Sequence, residues 1–77
     1  MTDSPFERYK DALRRGHAAS LRGEFDTAMT AYKEAAAIAP DRAMPQASLA
    51  GILARTGRIT EALAAYEEAL RIAGLPE

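Results

Sequence analysis

Apolar and small residues recur at intervals of three or four along the first part of the chain, the period of one helix face. These positions are Phe6, Tyr9, Leu13, Gly16 and Ala19 or Ser20. The segment Ser4-Pro5-Phe6-Glu7 has the residues of a helix start, because serine can cap the first turn and proline suits the first helical position. Gly23 is expected to end this helix in a left-handed conformation.

Similar signals predict three further helices. The second helix is expected to begin at Asp26 and to break at Pro40 and Asp41. The third has Pro45 in its first turn and runs to Thr56. The fourth begins at Thr60-Glu61 and is ended by Gly74 and Pro76. The second helix has an inner face of Ala28, Met29, Tyr32, Ala35, Ala36 and Ile38. Short connections make neighbouring helices antiparallel, so the sequence predicts an all-α fold of two stacked helix-turn-helix hairpins.

The chain repeats itself once. Shifting the sequence by 34 residues aligns its two halves, with identities at Gly23/Gly57, Ala28/Ala62, Ala31/Ala65, Tyr32/Tyr66, Glu34/Glu68, Ala35/Ala69, Ile38/Ile72 and Ala39/Ala73. Alanine-rich composition does not account for the glycine and tyrosine pairs at one offset. We therefore expect one domain over residues 1–77, with repeats at about 9–42 and 43–76 and a helical extension at 5–8.

In this pattern the chain resembles the tetratricopeptide repeat family, whose unit is a helix-turn-helix of about 34 residues. The motif residues are Gly23-Glu24-Phe25 followed by Ala28, Tyr32, Ala35 and Pro40, then Gly57-Arg58-Ile59 followed by Ala62, Tyr66 and Ala69. Departures from the family pattern are Ala12 and Gln46 at the tryptophan position, Arg15 at a leucine position and Gly74 at the final proline.

The matched residues have a packing explanation. The motif alanines are small where two helices must approach closely, and Gly16 has no side chain, so the facing helix can pack against its backbone. Tyr32 and Tyr66 are expected to fill the space between hairpins. All of these residues are therefore predicted to belong to the core.

The composition excludes most kinds of metal-binding and catalytic site. The chain has no cysteine and one histidine, His17, so it lacks the ligand set of a metal site and any thiol nucleophile. Ser20 near His17 is not a triad, because the orienting carboxylate and the oxyanion hole are missing. The adjacent Glu67 and Glu68 diverge around a helix by about 100° and cannot act as an acid/base pair. We expect no enzyme activity and no cofactor.

The charge and hydropathy patterns limit the classes of partner and the location that we expect for the protein. A net charge of −1 is not the basic excess of a nucleic-acid binder. The longest uncharged stretch, Ala43 to Ala54, is too short to cross a bilayer. Residues 1–4 carry no basic segment ahead of an apolar one, so no signal peptide is visible and we expect a cytoplasmic protein.

The resemblance implies a concave face, lined by the first helix of each hairpin, that accepts a partner peptide. The residues expected there are Lys10, Leu13, Arg14, His17 and Leu21 in the first helix, and Met44, Ala47, Ser48, Gly51, Ala54 and Arg55 in the third. Lys10, Arg14 and His17 share one helix face, which predicts an acidic or carboxylate-bearing peptide as partner. Leu13, His17 and Ser48 differ from the family's clamp for heat-shock chaperone tails, so those are not expected.

An assembly element is the alternative. Two repeats leave the last hairpin without a neighbour, and Leu63, Tyr66, Leu70 and Ile72 cannot all be buried in such a stack. We therefore expect a homo-oligomer joined through the C-terminal hairpin, or a segment of a longer array. The first helix is basic and the fourth acidic, which would favour a head-to-tail stack.

Overall fold

The computed structural model describes residues 4–74, and they form two antiparallel helical hairpins. The helices are α1 (Pro5–Leu21), α2 (Phe25–Ile38), α3 (Met44–Arg55) and α4 (Ile59–Ala73). Helix α1 packs on α2, α2 on α3 and α3 on α4. This order confirms the predicted all-α architecture of two stacked hairpins. The expected breaker Pro76 lies outside the described residues.

The start of α1 follows its capping residues. The Glu7 backbone N–H donates to Ser4 Oγ at 3.1 Å, and Pro5 occupies the first helical position, where its missing N–H is not needed. The predicted helix start at Ser4-Pro5 is therefore confirmed.

Both hairpins turn in the same way. Gly23 and Gly57 have φ angles of 77° and 82°. These angles lie in the left-handed region, where a residue with a Cβ has an unfavourable steric energy and glycine does not. In each turn the amide after the glycine donates to the carbonyl four residues before the glycine, at 2.9 Å and 2.8 Å. This bond satisfies a helix C-terminus, and its recurrence shows the 34-residue repeat in the backbone itself.

Helices α2 and α4 begin one residue before the predicted starts. Their first helical residues are Phe25 and Ile59 rather than Asp26 and Thr60. The residue ahead of each helix makes no side-chain capping hydrogen bond. The left-handed glycine turn therefore sets where these helices begin, and the polar residues that suggested a cap lie inside the first turn.

The core lies mainly between the hairpins. One cluster of buried residues joins all four helices: Ala19, Ala28, Met29, Tyr32, Leu49, Ala50, Ile52, Leu53, Ala62 and Ala65. A smaller cluster of Tyr9, Ala12 and Ala35 joins α1 to α2. The motif alanines Ala28, Ala35, Ala62 and Ala69 are all buried, as predicted.

The two repeated tyrosines differ. Tyr32 is 3% exposed and lies against Gly16, whereas Tyr66 is 45% exposed. The prediction that Tyr66 fills a space between hairpins is therefore wrong for the described residues. At the offset of 34 residues, Ala50 takes the place of Gly16. No helix in the range 4–74 follows α4 to cover Tyr66.

Candidate functional site

Tyr32 carries a polar group to the surface shared by α1 and α3. Its hydroxyl oxygen lies 2.7 Å from Nδ1 of His17 on α1, and the two rings meet edge to face with centroids 5.3 Å apart. Ser48 on α3 lies near the same hydroxyl and acts to lower its pKa. We call the solvent-facing side of α1 and α3 around these three side chains the α1–α3 face. It is the surface that the sequence assigned to peptide binding.

The phenol of Tyr32 stays protonated at neutral pH. Burial raises the pKa of Tyr32 above its ordinary value of 10.0, and Ser48 acts in the opposite direction. When the phenol donates its proton to Nδ1 of His17, the imidazole proton is on Nε2. Because His17 is exposed, this N–H is then available to a ligand.

The predicted lining residues differ in how far they reach solvent. Leu21 and Met44 are large apolar side chains that are 90% and 55% exposed. Exposed positions also include Arg14, His17, Ala47, Ala54 and Arg55, while Lys10, Ser48 and Gly51 are partly buried. Leu13 is partly buried and packs against both core clusters, so its side chain belongs more to the core than to the face.

Gly51 leaves open space on the face. No heavy atom lies within 4 Å of a Cβ added there. The 34-residue offset places Gly51 on α3 at the height of His17 on α1. A larger side chain at Gly51 would therefore project into open space on α3.

The two cations that α1 contributes to the face have acidic neighbours on their own helix. Lys10 Nζ lies 3.6 Å from Glu7, and an Arg14 guanidinium nitrogen lies 3.4 Å from Asp11. These pairs are exposed, so each contributes little to stability, and the cation can exchange its partner for the carboxylate of a ligand. The face is therefore less basic than the charge count of α1 alone predicts.

A second surface lies at the other side of the first hairpin. A groove of about 630 Å³ runs between α1 and α2, with a floor of small residues and charged side chains at its rims. Its lining includes Arg15, Ala18, Ala19, Thr27 and Ala31. We call it the α1–α2 groove. The sequence analysis did not single it out, although comparing the repeats reveals it, since Ala19 stands where the second repeat has Leu53.

A third surface is the outer side of α4. Ile59, Leu63 and Tyr66 are 56%, 58% and 45% exposed, and Leu70 is partly buried beside them. Their spacing of four, three and four residues places them along one side of the helix. We call this row of four the α4 stripe. It contains the three residues that the sequence assigned to oligomer contact.

The sequence reasoning placed Tyr32 in the core and overlooked its hydroxyl. A signal was present, because a tyrosine at a core position of a helix usually finds a partner for its polar end. Which partner it finds depends on α1 and α3 lying side by side, and nothing in the local pattern states that.

Two kinds of site are absent from residues 4–74. This part of the chain contains no group of three or more histidine, aspartate or glutamate side chains placed to hold a metal ion. Among its helices, none combines the length and the apolar character needed to cross a membrane.

Comparison with known proteins identifies one relationship. The model of the tetratricopeptide repeat family matches the chain twice, at residues 12–42 and 46–74. These two matches coincide with the two hairpins and cover well over half of the chain. No curated protein and no solved structure shows significant similarity to it.

Proposed function

Because the chain belongs to the tetratricopeptide repeat family, we propose that it binds a peptide segment of a partner protein on its α1–α3 face. Tetratricopeptide repeats generally mediate protein–protein interaction, and the family is typically a non-enzymatic interaction module. The observation that carries the proposal is the 2.7 Å contact between Nδ1 of His17 and the hydroxyl of the buried Tyr32, with Ser48 of α3 nearby.

The trio of His17, Tyr32 and Ser48 supports recognition because it is held in place. Tyr32 is fixed by its packing against Gly16, and its hydroxyl in turn holds the ring of His17. A side chain that is already ordered loses less conformational entropy when a ligand binds. His17 is therefore a preorganised hydrogen-bond group on an otherwise open surface.

The surroundings favour a ligand with both acidic and apolar groups. Arg14 and Lys10 lie on the same helix face as His17, one turn and two turns of α1 toward its start, and both supply donors for a carboxylate. Leu21 and Met44 offer apolar contact area, being more than half exposed. We propose a carboxylate-bearing segment with apolar side chains as the ligand.

The proposal is tested with a pair of peptides that differ in charge alone. An extended peptide with aspartate, glutamate and leucine residues is compared with the same peptide in which asparagine and glutamine replace the acids. Titration calorimetry at low and high salt is expected to show tighter binding of the acidic peptide, weakened as salt screens the charges. No binding of either peptide, or binding that ignores salt, would reject the acidic partner.

Two variants locate the binding surface. Gly51→Leu fills the open space beside the trio and is expected to abolish binding without harming the helix, since nothing lies within 4 Å of its Cβ. Lys10→Glu is expected to weaken binding of the acidic peptide roughly three- to tenfold, the scale of an exposed charge interaction. Arg8→Glu is the matched control, because this substitution makes the same charge change at an exposed position of α1 outside the predicted face.

We also propose a second function, self-association through the C-terminal hairpin. The α4 stripe supports it, since three of its four apolar side chains are about half exposed. Contiguous exposed apolar side chains of this kind mark contact sites. Sedimentation velocity over the micromolar range is expected to show a mass that rises with concentration, and a constant monomer mass would reject this function.

A further inference from the structure

From the internal repeat we infer how that self-association is arranged: the α4 stripe of one copy docks head to tail into the α1–α2 groove of a second copy. This inference rests on the second proposed function and adds to it the receiving surface. The contacts between the two hairpins of one chain support this arrangement.

The junction between the hairpins supplies the template. Met29 and Tyr32 of the first hairpin pack in one buried cluster with Leu49, Leu53 and Ala65 of the second. Each of these residues has a counterpart 34 positions away. A second copy stacked by the same step would therefore use a defined set of contacts.

Those counterparts lie at the two ends of the molecule, where no further hairpin packs within residues 4–74. Met29 and Tyr32 correspond to Leu63 and Tyr66, which are exposed on α4. Leu49, Leu53 and Ala65 correspond to Arg15, Ala19 and Ala31, which line the α1–α2 groove. One end thus carries the apolar side chains of a junction, and the other end carries the surface that receives them.

The groove has room for the docking side chains. On the groove side, Ala19 replaces Leu53, and the missing side-chain volume contributes to an open space of about 630 Å³. Met29 packs in one buried cluster with Leu53, and Leu63 is the counterpart of Met29. A repeated step would therefore bring Leu63 of one copy to the space beside Ala19 of the next.

Charge disfavours the alternative arrangement. Within the chain, Lys33 lines a small groove together with Leu49. Their counterparts are Glu67 and Arg15, so a repeated step brings Glu67 of one copy near Arg15 of the next, which already pairs with Asp11 and Glu34. The groove lining holds three acidic and three basic side chains and is therefore neutral toward the acidic helix α4. A tail-to-tail pair of α4 stripes would instead place two acidic helices together and leave the α1–α2 groove empty.

The experiment uses two variants that each block one end. Leu63→Glu puts a charge in the α4 stripe, and Ala18→Glu puts one on the floor of the α1–α2 groove, where Arg14 and Arg22 stand one turn away on either side. Both positions are helical, and glutamate is a good helix former. Ala37→Glu makes the same charge change at an exposed position of α2 outside both surfaces.

Head-to-tail docking predicts complementation in sedimentation velocity. The unmodified chain and Ala37→Glu are expected to grow beyond a dimer as concentration rises, because each docking leaves both ends open. Leu63→Glu and Ala18→Glu are each expected to be monomers alone. Mixed in equal amounts, they are expected to form a one-to-one dimer and nothing larger, since each retains the surface that the other lacks.

Other outcomes separate the proposals. An Ala18→Glu chain that still dimerises, with no new species in the mixture, overturns the head-to-tail arrangement and leaves self-association standing. A monomeric unmodified chain at all concentrations rejects both. Circular dichroism confirms that each variant is folded, and Thr27→Arg, an exposed groove position, replaces Ala18→Glu should that chain not fold.

Discussion

The ring of Tyr32 lies directly against the backbone of Gly16. A Cβ added to Gly16 would stand 2.5 Å from Cε1 of the ring and 2.7 Å from Cδ1, closer than real Cβ atoms approach other heavy atoms. This contact brings α1 and α2 together, and it holds the hydroxyl of Tyr32 next to His17 and Ser48. The fold of the first hairpin and the geometry of the α1–α3 face therefore depend on one missing methyl group.

The two helical glycines are expected to respond to alanine with opposite signs. Gly16→Ala overpacks the contact with Tyr32 and should lower the free energy of unfolding by about 1–3 kcal/mol. Gly51→Ala meets nothing within 4 Å and should raise it by about 0.5–1 kcal/mol, because alanine loses less backbone entropy in a helix. Urea denaturation measures both, and a stabilising Gly16→Ala would contradict the close contact.

The hydrogen bond between Tyr32 and His17 is expected to show as coupling between the two residues. Tyr32→Phe keeps the ring against Gly16 and removes the hydroxyl, at a cost of about 0.5–1.5 kcal/mol in the free energy of unfolding. In a double-mutant cycle, His17→Ala should cost less in the Tyr32→Phe background than in the unmodified chain. Equal costs in the two backgrounds would show that the 2.7 Å contact contributes nothing.

The raised pKa of Tyr32 makes stability depend on alkaline pH. Its folded-state pKa lies above its unfolded value, so the stabilisation is complete below about pH 10 and is lost as pH rises through the folded pKa. Thermal melting on both sides of this window should show a falling midpoint. The loss should be smaller in Tyr32→Phe, and an identical alkaline loss in that variant would assign the effect to other groups.

Acid is expected to weaken the ion pair between Asp11 and Arg15 on α1. Arg15 donates to Asp11 at 3.0 Å on its own helix and to Glu34 of α2 at 2.8 Å. The hydrogen bond from Arg15 is the largest cause that lowers the pKa of Asp11 below its ordinary value of 3.8. Stabilisation from a lowered pKa is present above the unfolded value and is lost as pH falls through the folded one.

Nuclear magnetic resonance titration of the Asp11 side chain checks this prediction. The midpoint should lie below 3.8 in the unmodified chain and move toward that value in Arg15→Gln. Since the groups are exposed, added salt should reduce the shift. Arg8→Gln is the control, because Arg8 lies on the same helix and forms no ion pair within residues 4–74. A midpoint that Arg15→Gln leaves unchanged would contradict the assignment.

The sequence by itself determined the helices, the turns, the repeat and the family. These features depend on short-range preferences: the capping Ser4, the left-handed Gly23 and Gly57, and the helical spacing of small residues. Such preferences act within a few residues of chain, so they can be recognised without knowing what packs nearby. The errors at this level were single residues at the starts of α2 and α4.

Only the tertiary structure decided what the repeated positions do. Tyr32 and Tyr66 are the same residue at the same place in the repeat, yet one is buried with its hydroxyl against His17 and the other is exposed on α4. The reason is physical: burial depends on what packs across the interface, and the second hairpin packs on Tyr32, whereas no helix within residues 4–74 follows α4 to cover Tyr66. Local pattern cannot supply the identity of the neighbour, and here the neighbour decides whether a tyrosine belongs to the core or to a surface.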